Sequence, residues 1–304
     1  MSSRPRAALL SPACLLALLA LLALLAMALH PGPALGWGLA AHAMITRQAI
    51  EASPAPLRDD LRAHREALIE RTLEPDTQLR PRHGRREAVR HYLNLELLAK
   101  PPFEDIPSDP GAAKSKYGER RLRKAGRLPW HAARVYAAIV SAMKKSDRDK
   151  IIRQMGYLAH YASDAYSPLH ATTNYDGRLT GNKGIHRRYE TALIKRRVKF
   201  FRDPGRAGAV PEAKITDVAA RMLGILRTGN ALVASLLAAD SKARRAGRAG
   251  SAAYLDALFR EVGKSARERM RGAAREIAVL WTSAWIEAGR PRLAHAKADG
   301  REGR

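Results

Sequence analysis

Cysteine is almost absent from this chain of 304 residues, since Cys14 is the only one. Cys14 lies in an apolar N-terminal stretch that we expect to be removed during export, which leaves a mature chain without cysteine. A disulfide framework is therefore excluded, even in an oxidising compartment. The stability of the fold must come from a hydrophobic core and from any metal ions that the chain binds.

Acidic residues are also scarce in relation to basic ones. The chain has 29 aspartates and glutamates against 54 lysines and arginines, which gives a formal net charge of +25 at pH 7. A positive field of this size attracts phosphate-rich partners, either nucleic acid or an anionic lipid surface. The basic residues are spread along the whole chain, so solvated helix faces explain the charge equally well.

The sequence has no stretch of alternating apolar and polar residues of the kind that marks a strand, and no internal repeat. Apolar residues instead recur at the three- and four-residue spacing of an amphipathic helix. We therefore predict an all-α fold, with a single multi-helix domain over residues 37–290 and a loose basic tail over 291–304. The predicted helices span residues 38–52, 56–72, 84–99, 129–145, 147–166, 184–202, 211–239 and 250–288.

Residues 1–36 have the features of a secretory signal peptide. Two arginines precede an apolar run over residues 15–29, a helix-breaking segment follows at 30–33, and residues 34–36 fit a small-x-small cleavage site. We predict cleavage immediately before Trp37 and a secreted or periplasmic protein. The alternative is an uncleaved membrane anchor, because about fifteen apolar residues fall only slightly short of a membrane span.

Residues that can bind zinc are concentrated in one part of the chain. His160 and Asp164 form one pair with a spacing of four, His186 and Glu190 form another, and His170 lies between the pairs. Residues four apart on a helix lie about 40° apart around its axis, so both side chains of a pair point the same way. Zinc takes imidazole nitrogen and carboxylate oxygen as ligands. The spacing therefore predicts a metalloenzyme.

Four further candidates lie upstream: Trp37, His42, Asp76 in a predicted loop, and His91 on the predicted helix 84–99. The complete ordered set resembles the trinuclear zinc phosphoesterases, which include the bacterial zinc-dependent phospholipases C and the fungal single-strand-specific zinc nucleases. The resemblance covers residues 37–202. Its most specific parts are the stretches Leu-Ala-His-Tyr-Ala-Ser-Asp-Ala-Tyr-Ser-Pro-Leu-His-Ala over 158–171 and Gly-Ile-His-Arg-Arg-Tyr-Glu over 184–190.

This resemblance implies three zinc ions and a defined set of ligands. Asp164 is expected to bridge two ions, and Asp76 is expected to act as general base or as a ligand only. A free α-amine can bind a metal, whereas the amide nitrogen of an uncleaved chain cannot readily do so, which makes the removal of residues 1–36 part of site assembly. The implied ligands are Asp76, His91, His160 and Asp164 for one zinc, His170, His186 and Glu190 for a second, and His42, Asp164 and the amine and carbonyl of Trp37 for a third.

Elementary electrostatics favours the same arrangement. Several dications close together need carboxylates to offset their repulsion, and Asp76, Asp164 and Glu190 supply three in an otherwise basic chain. Zinc polarises a phosphoryl oxygen and lowers the pKa of water to about 7, which provides a nucleophile at neutral pH. The loop residues Asn174, Tyr175 and Asp176 are expected to rim the substrate cleft.

These motifs do not decide between a phospholipid and a nucleic-acid substrate. Glu190 in the last ligand position, the stretch 184–190 and the lack of disulfides resemble the phospholipases, whereas the five-residue step from Trp37 to His42 resembles the nucleases. The first hypothesis is a zinc phosphodiesterase of the phospholipase C type, which cleaves a phospholipid to diacylglycerol and a phosphorylated headgroup. The alternative is a zinc nuclease on single-stranded DNA or RNA, and the third is a non-catalytic basic protein that binds nucleic acid or membrane. No protein partner is inferred.

Overall fold

The computed structural model describes residues 37–202 and 208–293, which all belong to one compact unit. The predicted signal peptide and residues 294–304 of the predicted tail lie outside the described residues. No strand forms within the described part, where one antiparallel bridge pairs Leu93 with Gly126, so the all-α prediction is confirmed. The longer helices are α1 (Leu39–Ala52), α2 (Leu57–Ala63), α3 (Arg65–Glu74), α4 (Pro110–Ala125), α5 (Leu128–Lys144), α6 (Arg148–Tyr166), α7 (Val218–Ala231), α8 (Val233–Ala243) and α9 (Ala252–Glu287).

Short helical turns complete the secondary structure. Two of them are π-helical, Pro75–Leu79 directly after α3 and Arg188–Leu193. Turns of this type are rare and are found frequently at functional sites. The other short turns are Arg80–His83, Arg85–Ala88, Leu95–Leu97, Pro168–Ala171, Arg178–Thr180, Ile185–Arg187, Ile194–Arg196, Val198–Arg202 and Arg244–Ala246.

Helix α6 lies at the centre of the fold and packs against α3, α5 and α9. Its residues from Leu158 to Ala165 are all buried, which is the pattern of a core helix rather than an amphipathic surface helix. Helix α9 secures α6 at two points. Trp281 Nε1 donates to the Met155 carbonyl at 3.2 Å, and Arg269 Nε donates to the Tyr166 carbonyl at 2.7 Å, where the end of α6 leaves carbonyls without helical partners.

Gly156 allows α3 and α6 to approach closely. A Cβ added at Gly156 would lie 2.4 Å from Arg71 Cβ and 2.9 Å from the Thr72 backbone nitrogen, both closer than real side chains permit. One turn further along α6, the approach brings His160 Nδ1 to 2.9 Å from the Thr72 carbonyl oxygen. The packing of these two helices therefore sets the orientation of a predicted ligand.

The most strongly periodic helices agree with the sequence to within two residues, namely the predicted spans 129–145, 147–166 and 250–288. The prediction of one helix over 84–99 is wrong, because only residues 85–88 and 95–97 are helical, and Leu93 and Asn94 between them donate to carbonyls of other segments. The sequence also missed α4, in which few residues are buried. The predicted helices 56–72, 184–202 and 211–239 are interrupted near His64, Arg197 and Leu232, and the last begins only at Val218.

The start of the predicted tail is held against the domain. Leu293 is buried, and its backbone N–H donates to Asp60 Oδ2 at 2.9 Å, while Arg292 pairs with the same carboxylate at 3.1 Å. Residues 291–293 are therefore packed rather than loose.

Residues 218–246 are long and apolar enough to pass a test for a membrane span by length and composition. In the structure this run is divided into α7 and α8, which meet at Leu232. Met222 and Leu226 on α7 and Leu236 on α8 belong to the buried hydrophobic core. Packing within the domain thus accounts for the apolar character of this run.

We expect the substitution Gly156→Ala to destabilise the protein by about 1–3 kcal/mol, because α3 and α6 must separate to admit the added methyl group. The matched control is Gly224→Ala on α7, where the added Cβ meets nothing within 4 Å. The control should be neutral or stabilising by up to about 1 kcal/mol. Urea denaturation of both variants measures the difference, and equal free energies of unfolding would contradict this account of the helix contact.

Candidate metal centre

Six separate segments of the chain bring the predicted ligands together. Helix α1 carries His42, α6 carries His160 and Asp164, and the π-helical turn Pro75–Leu79 carries Asp76. The expectation that Asp76 lies in a loop is therefore wrong, since this turn continues α3 without a break. The remaining predicted side chains come from residues 89–94, from the turn Pro168–Ala171 and from residues 185–193.

His91 lies in the irregular segment 89–94 and not on a helix as the sequence predicted. This segment is held in place from two sides by backbone hydrogen bonds, with Leu93 N–H donating to the His170 carbonyl at 2.9 Å and Asn94 N–H to the Ala125 carbonyl at 2.7 Å. Gly126 makes the second contact possible, because its φ is +107° and an added Cβ would lie 2.1 Å from the Tyr92 carbonyl oxygen. Tertiary contacts thus override the local helical pattern.

The first group of converging side chains is centred on Asp164. His91 Nδ1 lies 2.9 Å from Asp164 Oδ2, His160 Nε2 lies 3.3 Å from the same oxygen, and His42 Nε2 lies 3.4 Å from Oδ1. Asp76 Oδ1 is 3.8 Å from His91 Nδ1. These five side chains are buried, and they contain two sets whose ligand atoms lie within 4.8 Å of one another, His42 with His160 and Asp164, and Asp76 with His91 and His160.

The second group consists of His170, His186 and Glu190. His186 Nε2 lies 2.7 Å from Glu190 Oε2, and His170 Nε2 lies 3.2 Å from His186 Nε2 and 3.7 Å from Glu190 Oε2. Ser167 donates a hydrogen bond to the other oxygen of Glu190, which fixes the carboxylate. The two groups are adjacent, because His170 Nδ1 lies 3.8 Å from Asp164 Oδ1.

Trp37 is placed against both groups through its side chain. The indole is fully buried, its Nε1 donates to the Ser163 carbonyl at 3.0 Å, and its ring lies 5.6 Å from the ring of Tyr189. Ser163 directly precedes Asp164, and Tyr189 directly precedes Glu190. The N–H of Gly38 also donates to the Glu190 carbonyl at 3.1 Å. The indole thus fixes the start of the predicted mature chain next to two of the predicted ligands.

Backbone carbonyls determine which histidine nitrogens face each other. His160 donates Nδ1–H to the Thr72 carbonyl, and His170 donates Nδ1–H to the His91 carbonyl at 2.6 Å, so Nε2 is the nitrogen of each ring that is left for a second proton or a metal ion. His160 Nε2 then lies 3.0 Å from His91 Nδ1, and His170 Nε2 lies 3.2 Å from His186 Nε2. Two facing lone pairs repel unless a proton or a metal cation lies between them, which makes both pairs suitable for a metal ion.

Several buried polar atoms of the two groups have no hydrogen-bond partner within the part of the chain that the structure describes. They include both ring nitrogens of His42, Asp76 Oδ2 and Asp164 Oδ1. Buried polar atoms of this kind are costly unless something binds them. The mixture of imidazole nitrogen and carboxylate oxygen is the donor set that zinc prefers, so the side chains present fit a zinc site.

Charges within the groups are strongly coupled. Burial disfavours the charged form of His170, but the carboxylates of Asp164 and Glu190 outweigh it and raise the pKa of His170 to about 9. Burial likewise opposes ionisation of Glu190, yet His186 and His170 lower its pKa to about 2. The pKa of Asp164 is held well below its usual range, because His170 and His160 outweigh the effect of burial. The carboxylates therefore stay ionised, as ligands of a cation must.

Glu87 is a buried carboxylate beside the first group that the sequence analysis did not identify. Its Oε1 lies 3.5 Å from His91 Nε2 and accepts a hydrogen bond from the Tyr161 hydroxyl, while Arg90 pairs with its other oxygen. Burial alone raises the pKa of Glu87, but His91, Tyr161 and Arg90 outweigh burial and lower it to about 2. A carboxylate on the far nitrogen of a metal-binding histidine fixes the ring and its tautomer. The spacing of four between Glu87 and His91 was the available sequence signal.

Two of the expected rim residues, Asn174 and Tyr175, play different parts. Asn174 is buried and holds the surrounding loop through its side-chain amide. Tyr175 is 44% exposed, and its ring centre lies 5.8 Å from that of His186. Tyr175 is thus the one of the pair that can meet a substrate.

Comparison with known proteins agrees with this arrangement. The sequence model of a family described as zinc dependent phospholipase C matches residues 41–225 of the chain. The chain is also similar to a probable serine protease of Bradyrhizobium tropiciagri, with 23% identity over 218 residues, which is 60% of this chain. The match spans only 27% of that relative's own length, so the relative's name says little about this chain.

We expect Glu87→Gln to weaken zinc binding about 10- to 100-fold, because the uncharged amide holds the His91 ring less firmly. The matched control is Glu276→Gln. Glu276 is buried like Glu87, with 4% of its surface exposed, but it pairs with Arg221 instead of with a predicted ligand. Competition with a chromophoric chelator measures zinc affinity in both variants. If Glu87→Gln binds zinc as tightly as the control, Glu87 has no role in orienting His91.

Proposed function

Because the chain belongs to the zinc dependent phospholipase C family, we propose that it is a zinc-dependent phosphodiesterase that cleaves phospholipids to diacylglycerol and a phosphorylated headgroup. The observation that carries the proposal is the pair of facing imidazole contacts, His91 with His160 and His170 with His186, beside buried carboxylates. Each contact needs a proton or a metal ion between its two ring nitrogens, and the unpartnered oxygens of Asp76 and Asp164 beside them favour a metal ion.

The proposal includes three zinc ions. Zinc, when bound, polarises a phosphoryl oxygen and activates water as a nucleophile. The Asp164 carboxylate has both oxygens turned towards imidazoles, with His91 and His160 on one and His42 on the other, which suits it to bridge two ions. The proposed ligands are Asp76, His91, His160 and Asp164 for the first ion, His170, His186 and Glu190 for the second, and His42, Asp164 and the amine and carbonyl of Trp37 for the third.

Asp76 is the proposed general base. Its Oδ2 is buried and has no hydrogen-bond partner among the described residues, so this oxygen can accept a proton from the attacking water. Arg80 Nη1 lies 3.4 Å from Asp76 Oδ1, and the Arg80 side chain is 20% exposed. A partly exposed guanidinium beside the cluster can bind an anionic phosphate oxygen and hold the substrate in line with this base.

A phospholipid is the first candidate substrate. The family is described as zinc dependent phospholipase C, and Glu190 in the last ligand position resembles the phospholipases. Single-stranded nucleic acid remains the second candidate, since the five-residue step from Trp37 to His42 resembles the nuclease branch and the net charge of +25 suits either polyanion. We further propose that the protein acts outside the cytoplasm, after cleavage of the predicted signal peptide.

The substrate test compares the zinc-loaded mature protein on phosphatidylcholine and on single-stranded DNA and RNA. We expect release of diacylglycerol and a phosphorylated headgroup, and a loss of at least about 100-fold in kcat for Asp76→Asn, because the base can no longer accept the proton. Thin-layer chromatography and phosphate release report the products. Activity confined to nucleic acid would reverse the order of the two substrates, and no activity on either would reject the proposal.

The proposed third zinc makes a separate prediction about the N-terminus. A mature protein that begins at Trp37 should bind one zinc ion more per chain than a protein that retains Gly36, because an amide nitrogen does not replace the free amine. Metal analysis after dialysis measures the difference, and circular dichroism checks that both chains are folded. Equal zinc content in the two proteins would exclude the amine as a ligand.

A further inference from the structure

The exposed apolar side chains of this protein are concentrated on one loop. Among the described residues, the large apolar side chains exposed beyond about a third are Leu39 at 37%, Tyr175 at 44% and Leu179 at 75%. Tyr175 and Leu179 both lie in residues 174–184, here called the linking loop, which connects the segments of His170 and His186. Leu179 is the most exposed of the three and lies in the turn Arg178–Thr180.

Hydrogen bonds within the linking loop hold it in a defined conformation. The Asn174 side chain accepts a hydrogen bond from Leu179 N–H at 2.9 Å and donates one to Thr180 Oγ1 at 3.0 Å. The Gly184 N–H donates to the Asp176 side chain at 3.1 Å, which closes the loop at its base. The exposure of Leu179 is therefore imposed by hydrogen bonds that hold the loop around it.

A buried polar network fastens the linking loop to the rest of the domain. Asn182 is 2% exposed, and its amide donates to the fully buried Asp240 at 2.7 Å and to the Leu237 carbonyl at 3.0 Å. Arg188 donates to the same carboxylate at 2.8 Å and to the Asn182 carbonyl at 3.0 Å. One aspartate on α8 thus secures both the loop and the segment that carries His186 and Glu190, so the exposed tip has a fixed position beside the second group of ligands.

The charges of this region complement an anionic surface. Lys183 and Arg187 are exposed, and neither forms an ion pair with any residue in the described ranges. The acid of the loop, Asp176, is only 16% exposed and is occupied by the Gly184 N–H and by Arg178 at 3.4 Å. An apolar tip, an aromatic ring and unpaired cations together are the composition of surfaces that bind lipid bilayers.

We propose that the linking loop is the surface through which this protein binds an anionic phospholipid bilayer. Leu179 enters the apolar edge of the bilayer, Tyr175 lies at the level of the headgroups, and Lys183 and Arg187 bind lipid phosphates. This inference rests on the proposed function, and it places the bilayer next to His186. A nucleic acid also matches the cations and the tyrosine, but it gives no reason for a leucine that is 75% exposed on a rigid turn.

The test measures sedimentation of the zinc-loaded mature protein with vesicles of phosphatidylcholine and phosphatidylglycerol. We expect Leu179→Ser to weaken vesicle binding about tenfold, because one leucine side chain is no longer transferred from water. Leu179→Trp should retain binding and show a blue shift of its fluorescence on vesicles. The control Leu39→Ser changes the exposed leucine of α1, outside the loop, and should leave the vesicle dissociation constant unaltered. Binding should also weaken on vesicles without phosphatidylglycerol.

The outcomes separate this proposal from the proposed function, because vesicle binding needs no turnover. Protein that binds vesicles through Leu179 but hydrolyses no phospholipid refutes the function alone. Protein that hydrolyses monomeric phospholipid while all variants bind vesicles equally refutes the membrane surface alone. Two further outcomes also overturn the membrane surface. One is that Leu39→Ser loses as much vesicle binding as Leu179→Ser. The other is that a substitution in the linking loop weakens binding of a fluorescent oligonucleotide but not of vesicles.

Discussion

Burial of the Asp164 carboxylate among imidazole rings is the interaction on which the rest of this structure depends. A buried charge is tolerated only when it is paired, and here His42, His91 and His160 approach its two oxygens from three different segments. Those segments must therefore meet at the C-terminal half of α6, which explains why its residues from Leu158 to Ala165 are all buried. The helices packed against α6 bury the carboxylate and fix the rings.

Main-chain atoms orient the histidine rings as much as side chains do. The carbonyls of Thr72 and His91 each accept a proton from a histidine, so the packing of α3 against α6 and the path of residues 89–94 decide which nitrogens remain basic. Glycine is required at positions 126 and 156 because the backbone of a neighbouring segment occupies the space of a side chain. The packing of the helices thus determines which nitrogens the candidate metal site offers.

The sequence predicts the helical class and the long helices because their apolar period is unbroken, and it predicts which histidines and carboxylates converge because their spacing and order are specific. It does not predict the irregular path of His91, since the following Leu93 and Asn94 donate to the carbonyls of His170 and Ala125, which are far away in the chain. It passes over Glu87 because a glutamate four residues before a histidine on a predicted helix looks like a surface pair. Helix α4 is missed because it buries only a few residues, among them Ala113, Tyr117 and Leu122.

The lack of any cysteine after Cys14 has a consequence for how this fold is held together. The segments that meet at Asp164 and Glu190 have no covalent link in the described part of the chain, and their junction is made of groups that repel or remain unpaired without a cation. Metal ions that joined them would act as exchangeable cross-links, so the fold and the proposed activity would depend on the same supply of metal. Surroundings that sequester zinc would silence such a protein and loosen its structure together, and a return of the ion would restore both.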